Sequence, residues 1–128
     1  MKRSVLGVVA VTSALLISGC DLFGPSGPGT IEATFSGPQP IGGLVLEVTG
    51  SGIEGFEGTG STQALGAVVS APEGKHRVVA IVPVGAEISI GIRVSDLGDE
   101  TPRFTVISAT TPANTPLGTE GIQVRVER

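Results

Sequence analysis

Residues 88–94 read Ile88-Ser89-Ile90-Gly91-Ile92-Arg93-Val94, with a branched aliphatic residue at every second position. Successive side chains of a β-strand point to opposite faces, so this order places four aliphatic residues on one face. Small or polar residues occupy the other face. A strand that is buried on one face and exposed to solvent on the other is typical of an antiparallel sheet. The segment therefore predicts an all-β fold.

The same alternation recurs along the chain, in residues 30–35, 44–49, 104–108 and 122–127. In the third of these runs Phe104 and Val106, with Ser108 after them, are predicted to point inward. A short strand is predicted over residues 53–56. These patterns have the period of two that half-buried strands require.

Two further segments lack this alternation. Residues 76–82 contain an unbroken apolar run from Val78 to Val82, which predicts a strand covered on both faces. Residues 58–71 fit either a strand or one or two helical turns. A strand is favoured there because Gly66 interrupts the helical pattern.

Turn residues separate the runs, since the chain has 20 Gly and 9 Pro. Pro72-Glu73-Gly74-Lys75 predicts a turn, and residues 110–118 predict a Pro-bearing connection. Residues 50–55 match the pattern G-x-G-x-x-G, but the following residues cannot continue a helix, so a turn between strands is expected rather than a dinucleotide site. Residues 30–128 are thus predicted to form one β-sandwich of about 7–9 antiparallel strands.

The strand order resembles that of immunoglobulin-like and cohesin-like sandwiches, including carbohydrate-binding modules. The segments that support this resemblance are residues 44–48, 77–82, 104–109 and 122–126. Cohesins pair with dockerin modules, and carbohydrate binders present exposed aromatic platforms. The chain has no Trp and no Tyr, so the resemblance does not extend to a sugar-stacking face.

The N-terminus has the three parts of an export signal: Lys2 and Arg3, an apolar stretch over residues 4–17, and small residues before a cysteine. The apolar stretch is shorter than the ~20 residues that span a bilayer. Ile17-Ser18-Gly19-Cys20 resembles the lipobox of bacterial lipoprotein precursors.

That resemblance implies cleavage before Cys20, acylation of its thiol, and often of the new amine. Residues 1–19 would then be a signal peptide and residues 20–29 a lipidated, flexible Gly/Pro tether. The folded domain would be anchored through Cys20 to a membrane of the bacterial envelope, on its periplasmic or cell-surface side. An ordinary secretory signal with a free Cys20 and an uncleaved membrane anchor are the alternatives.

The charge balance argues against nucleic-acid binding. Removal of residues 1–19 would leave six of the eight basic residues against all twelve acidic ones, a formal charge of −6. The remaining basic residues are scattered, whereas proteins that bind nucleic acids cluster Lys and Arg against the phosphates.

Few residues suggest site chemistry. Asp96, Asp99 and Glu100 are weak candidate ligands for a cation such as Ca²⁺, with an ordinary solvated turn as the simpler interpretation. His76 is the only histidine and no G-x-S-x-G elbow accompanies it, so a surface histidine is expected. No catalytic residue and no cofactor is predicted.

We therefore expect a non-catalytic envelope module with a structural, adhesion or ligand-binding role, whose partner is an envelope protein or polymer. An enzyme or enzyme-accessory lipoprotein acting on envelope polymers is the first alternative. A periplasmic binder of a cation or small molecule is the second. The scarcity of His, Cys and aromatic residues favours the non-catalytic role.

Overall fold

The computed structural model describes residues 26–128, apart from the side chains of residues 84–86. The predicted signal peptide and Cys20 lie outside the described residues. The regular structure of the described part is entirely β-strand. In chain order the strands are β1 (Gly29–Ser36), β2 (Ile41–Thr49), β3 (Ile53–Gly58), β4 (Gln63–Ser70), β5 (Lys75–Ala86), β6 (Ile88–Val94), β7 (Arg103–Thr110), β8 (Pro116–Leu117) and β9 (Gln123–Glu127).

The strands form two antiparallel sheets that pack into a sandwich. The four-stranded sheet has the order β3-β6-β1-β9, and the five-stranded sheet has the order β4-β5-β2-β7-β8. Every strand pairing is antiparallel. The prediction of an all-β sandwich with about 7–9 antiparallel strands is therefore confirmed, with nine strands in residues 26–128.

The core between the sheets is mainly aliphatic and includes an edge-to-face pair of phenylalanines. Alternate residues of β6, including Ile88, Ile90 and Ile92, are fully buried, as the opening alternation predicts. The ring centroids of Phe35 and Phe104 are 5.8 Å apart, and the ring planes make an angle of 75°. The two aromatic side chains thus link β1 to β7 across the sandwich. Together the buried residues form one continuous cluster.

The strand prediction for residues 58–71 is confirmed over β4. The turn predicted at Pro72 is also present: the Gly74 N–H donates to the Ala71 carbonyl at 3.1 Å, and Gly74 has a φ of +64°. That φ lies in the left-handed region, which glycine adopts without steric cost.

Two details of β7 and its connection differ from the prediction. The register of β7 against β2 shifts between Val106 and Ser108, so that Ile107 is an extra residue in a β-bulge. The bulge turns Ser108 outward and places Ala109 in the core at 3 % exposure. The connection that follows also contains the short strand β8.

One end of the sandwich gathers the first and last described residues, and we call it the entry end. Its segments are residues 26–28, 50–52, 71–74 and 95–102, together with Arg128. Backbone hydrogen bonds join these segments, from Gly50 to Gly74 at 3.0 Å, from Ser95 to Gly52 at 2.9 Å and from Leu97 to Gly27 at 2.7 Å. The chain thus enters the fold at the end where β2, β4, β6 and β9 finish.

Candidate functional site

The outer surface of the five-stranded sheet carries exposed aliphatic side chains. Leu65 of β4 is 77 % exposed, Val79 of β5 is 48 % exposed and Ile81 of β5 is 50 % exposed. The strand register pairs Val79 with both Leu65 and the half-buried Val45 of β2. We call Val45, Leu65, Val79 and Ile81 the apolar face. Ile107, in the bulge of β7, is a further exposed aliphatic residue of this sheet at 45 % exposure.

This face corrects the sequence interpretation of β5, because a strand covered on both faces was expected there. Val78 and Ala80 are fully buried, whereas their neighbours Val79 and Ile81 are about half exposed. A two-layer sandwich covers only the inner face of each sheet. The length of the chain could have predicted this exposure. A domain of this size forms only two layers, so the outward residues of a central strand have no third layer to cover them.

A recess lies in the middle of the apolar face. Gly43 of β2 has no side chain, and it pairs with Ile81. The resulting cavity of about 140 Å³ is lined by Gly43, Val45, Val79 and Ile81, with Ser108 and Thr110 on the β7 side. Apolar cavities of ~150 Å³ accept a benzene-sized group, so an aliphatic side chain fits here.

Charged residues border the apolar face on the side of the entry end. Glu47 accepts a hydrogen bond from Arg77 at 3.2 Å and lies 3.5 Å from the Lys75 ammonium. The hydrogen bond from Arg77, together with the charge of Lys75, lowers the pKa of the Glu47 carboxyl. The carboxylates of Glu47 and Glu73 raise the pKa of Lys75. Both shifts favour the charged forms of Glu47 and Lys75 near neutral pH.

The outer surface of the four-stranded sheet has the opposite character. Thr34 and Ser89 share a hydrogen bond of 3.2 Å between their hydroxyls, and the Ser89 hydroxyl donates to Glu32 at 3.4 Å. A polar cavity of about 450 Å³ adjoins these residues, lined in part by Arg125. The two outer surfaces therefore differ in kind, one aliphatic and one polar.

The acidic loop between β6 and β7 is hydrogen-bonded to the residues just before β1. Oδ1 of Asp96 accepts hydrogen bonds from the backbone N–H groups of Gly98 at 2.8 Å and Gly27 at 2.9 Å. These two donors lower the pKa of the Asp96 carboxyl, that of Gly98 more strongly. Arg128 closes the same loop by donating to the Leu97 carbonyl at 2.9 Å. Asp96 thus fixes the point at which the chain enters the fold.

The three candidate cation ligands do not assemble into a site. Asp99 is half-buried near Gly52, and Glu100 is exposed. Within residues 26–128, no three His, Cys, Asp or Glu side chains lie close enough together to hold a metal ion. The observed role of Asp96 is the pair of backbone hydrogen bonds.

His76 is half-buried at the entry end of the sandwich, whereas a surface histidine was predicted. Its ring packs edge-on against Phe56 at 5.4 Å, and its Nδ1 is buried without a hydrogen-bond partner. The imidazole lines a cavity of about 490 Å³ at the entry end, between the loop of residues 50–52 and the turn of residues 71–74. The G-x-G-x-x-G match supplies this loop, with Gly52 at a φ of +68°, and begins β3. A turn between strands is thus what the structure shows there.

The predicted lipidation site, Cys20, lies seven residues before Gly27 and outside the described residues. No helix in the part of the chain from residue 26 onward is long and apolar enough to cross a bilayer. Comparison with protein-family models, with curated proteins and with solved structures finds no match to this chain.

Proposed function

We propose that the chain is a lipid-anchored, non-catalytic envelope module that binds another protein through the apolar face. The observation that supports this function most directly is the aliphatic outer surface of the five-stranded sheet, set against the polar outer surface of the other sheet. Clustered exposed aliphatic residues mark interaction surfaces more often than isolated ones do. Burial of apolar area contributes roughly 25 cal/mol per Å², so burial of this face against a partner stabilises the complex.

The position of the entry end is compatible with the proposed anchor. Seven residues extend at most about 25 Å, so an acylated Cys20 would hold Gly27 within that distance of the membrane. Two acyl chains suffice for stable anchoring. The apolar face begins beyond the charged residues Glu47 and Arg77, on the side away from the entry end. It would therefore be open to partners beside the domain.

The test is photocrosslinking in intact cells that produce the full-length chain. A photoreactive amino acid replaces Val79 in one variant and Thr30, on the outer surface of the four-stranded sheet, in the control. We expect adducts of defined mass from position 79 and none from position 30. Equal adduct formation at both positions, or none at position 79, would refute the proposed use of this face.

A second candidate function is small-molecule binding in the cavity beside His76. The buried Nδ1 without a partner favours it, since buried polar atoms are nearly always hydrogen-bonded. Native mass spectrometry of the full chain, isolated from membranes in detergent, tests this candidate. A ligand at His76 would appear as an adduct of constant mass that is lost in His76→Leu. A wild-type spectrum without any adduct would exclude it.

A further inference from the structure

We infer that the partner of the apolar face is a second copy of this chain, so that the protein forms a two-fold symmetric dimer on the membrane. This inference rests on the proposed function, because it names the occupant of the same face. It is drawn from the register of β2 against β5, from the charges beside the face and from the position of the entry end.

The register makes the face complementary to itself. Gly43 is level with Ile81, Val45 with Val79, and Glu47 with Arg77. Consider a two-fold axis that runs along the strands, above the line between β2 and β5. A rotation of 180° about this axis places β5 of one copy over β2 of the other without changing the height of any residue. Contacts of this kind are isologous, with each residue pair occurring twice.

The apolar contacts of such a dimer match in shape. Val79 of each copy would lie over Val45 of the other. Ile81 of each copy would lie over Gly43, where the recess of about 140 Å³ has room for it. Sheets that pack face to face lie ≈ 10 Å apart with their strands turned by about 30°, which leaves the central residues in contact.

The charged contacts match in sign. Glu47 of each copy would face Arg77 of the other, and Glu47 already pairs with Arg77 of its own chain at 3.2 Å. The dimer thus joins two ion pairs into one alternating network of four charges. Networks stabilise more than isolated surface pairs, which contribute little by themselves. A dimer with strands in the opposite direction would lose this match, because the apolar and charged rows would face one another.

The symmetry also agrees with the proposed anchor. A two-fold axis along the strands places both entry ends on the same side of the dimer, so both lipid anchors would reach one bilayer. The outer surface of the five-stranded sheet, which contains the apolar face, measures about 20 Å across the strands and about 25 Å along them, so two copies would bury roughly 1,000 Å² in total, near the lower end of specific interfaces. Anchoring in one membrane raises the effective concentration of the two copies, and a modest interface then suffices.

The test exploits the symmetric ion pairs. Full-length chains with two different epitope tags are coexpressed and isolated in mild detergent through one tag, and the second tag is quantified. Wild-type copies are expected to co-isolate. Glu47→Arg with itself, and Arg77→Glu with itself, place like charges opposite each other twice, and we expect co-isolation to fall at least tenfold. Glu47→Arg mixed with Arg77→Glu restores opposite charges at both contacts, and co-isolation is expected to return.

The matched control is the ion pair of β9, Arg125 and Glu127, which lie 3.6 Å apart on the other sheet. The corresponding variants Arg125→Glu and Glu127→Arg should co-isolate as the wild type does, alone or mixed. The melting temperature of each variant verifies that it is folded.

The outcomes separate this inference from the proposed function. Failure of the mixed pair to recover, or undiminished self-association of Glu47→Arg, would overturn the dimer. If position 79 then crosslinks to a different protein, the apolar face is a binding surface with another occupant. If the wild-type copies do not co-isolate and position 79 forms no adduct, both proposals fail.

Discussion

At the scale of single residues, Asp96 joins the loop after β6 to the first residues of the domain. Its two backbone donors favour the charged carboxylate and lower its pKa below the ordinary 3.8 of an aspartate. A carboxyl whose pKa is lower in the folded than in the unfolded state stabilises the fold above its unfolded pKa. This contribution disappears as the pH falls through the folded pKa.

Asp96→Asn is therefore expected to lower the melting temperature at pH 7, because asparagine keeps an acceptor oxygen but not the charge. The difference from the wild type should begin to shrink below about pH 4, the unfolded pKa, and disappear as the pH falls through the lower folded pKa, where the folded carboxyl becomes neutral as well. Thermal unfolding from pH 7 to pH 2 measures it, with Glu100→Gln as the control. A difference that stays constant over this range would contradict the role given to Asp96.

Gly74 illustrates how backbone conformation and close contact combine at one residue. It has a φ of +64°, and a Cβ there would collide with the Gly50 carbonyl oxygen. Gly60 has a φ of +62°, but no atom lies within 4 Å of the corresponding Cβ position. We expect Gly60→Ala to cost about 1 kcal/mol, the steric cost of the left-handed region.

Gly74→Ala should cost more than about 2 kcal/mol, because the backbone clash adds to the same steric term. Chemical denaturation of both variants measures the difference. Equal losses of stability would mean that the turn relaxes away from Gly50. The approach of the two loops at the entry end would then not be rigid.

At the scale of secondary-structure elements, β5 is the strand that the sequence describes least well. Its unbroken run of Val and Ile has no alternation, so the pattern cannot tell a strand buried on both faces from one buried on a single face. Pairing with β2 and β4 settles the question, since it orients Val78 and Ala80 inward and leaves Val79 and Ile81 outside.

Alanine substitutions at neighbouring positions of β5 test this orientation. Val78→Ala should destabilise the domain by about 2 kcal/mol, from the lost burial of two methylene-sized groups and the cavity left behind. In the monomer, at a dilution that dissociates the proposed dimer, Val79→Ala should cost less than about 1 kcal/mol, because its side chain is half exposed. Urea denaturation compares the two variants. Similar losses for both would show that the apolar face is covered in the isolated protein.

The strands with clear alternation were predicted well for a physical reason. In β6 the inward residues are aliphatic and the outward ones polar or small, so burial on one face determines the register. In β7 the bulge at Ile107 breaks the period of two. Local sequence contains no strong signal for such a bulge, and the prediction for Ser108 therefore failed.

At the scale of the whole molecule, the proposed anchor makes a direct chemical prediction. The purified protein should begin at Cys20, with a mass increased by acyl chains. Cys20→Ser should abolish this mass increase, because no acyl group can then be attached, and the wild type should be found in the membrane fraction. Mass spectrometry of the N-terminal peptide and fractionation of cells measure these outcomes. An N-terminal peptide with a free thiol at Cys20 would refute the anchor.

The sequence by itself determined the all-β class, the strand positions with clear alternation and the turns between them, because these depend on local periodicity and on Gly and Pro. It also supplied the predictions about Cys20 and the absence of basic clusters. The tertiary structure alone decided which aliphatic residues stay outside, how β2 and β5 align and which loops meet at the entry end. Those features depend on pairings between segments far apart in the chain, and no local pattern contains them.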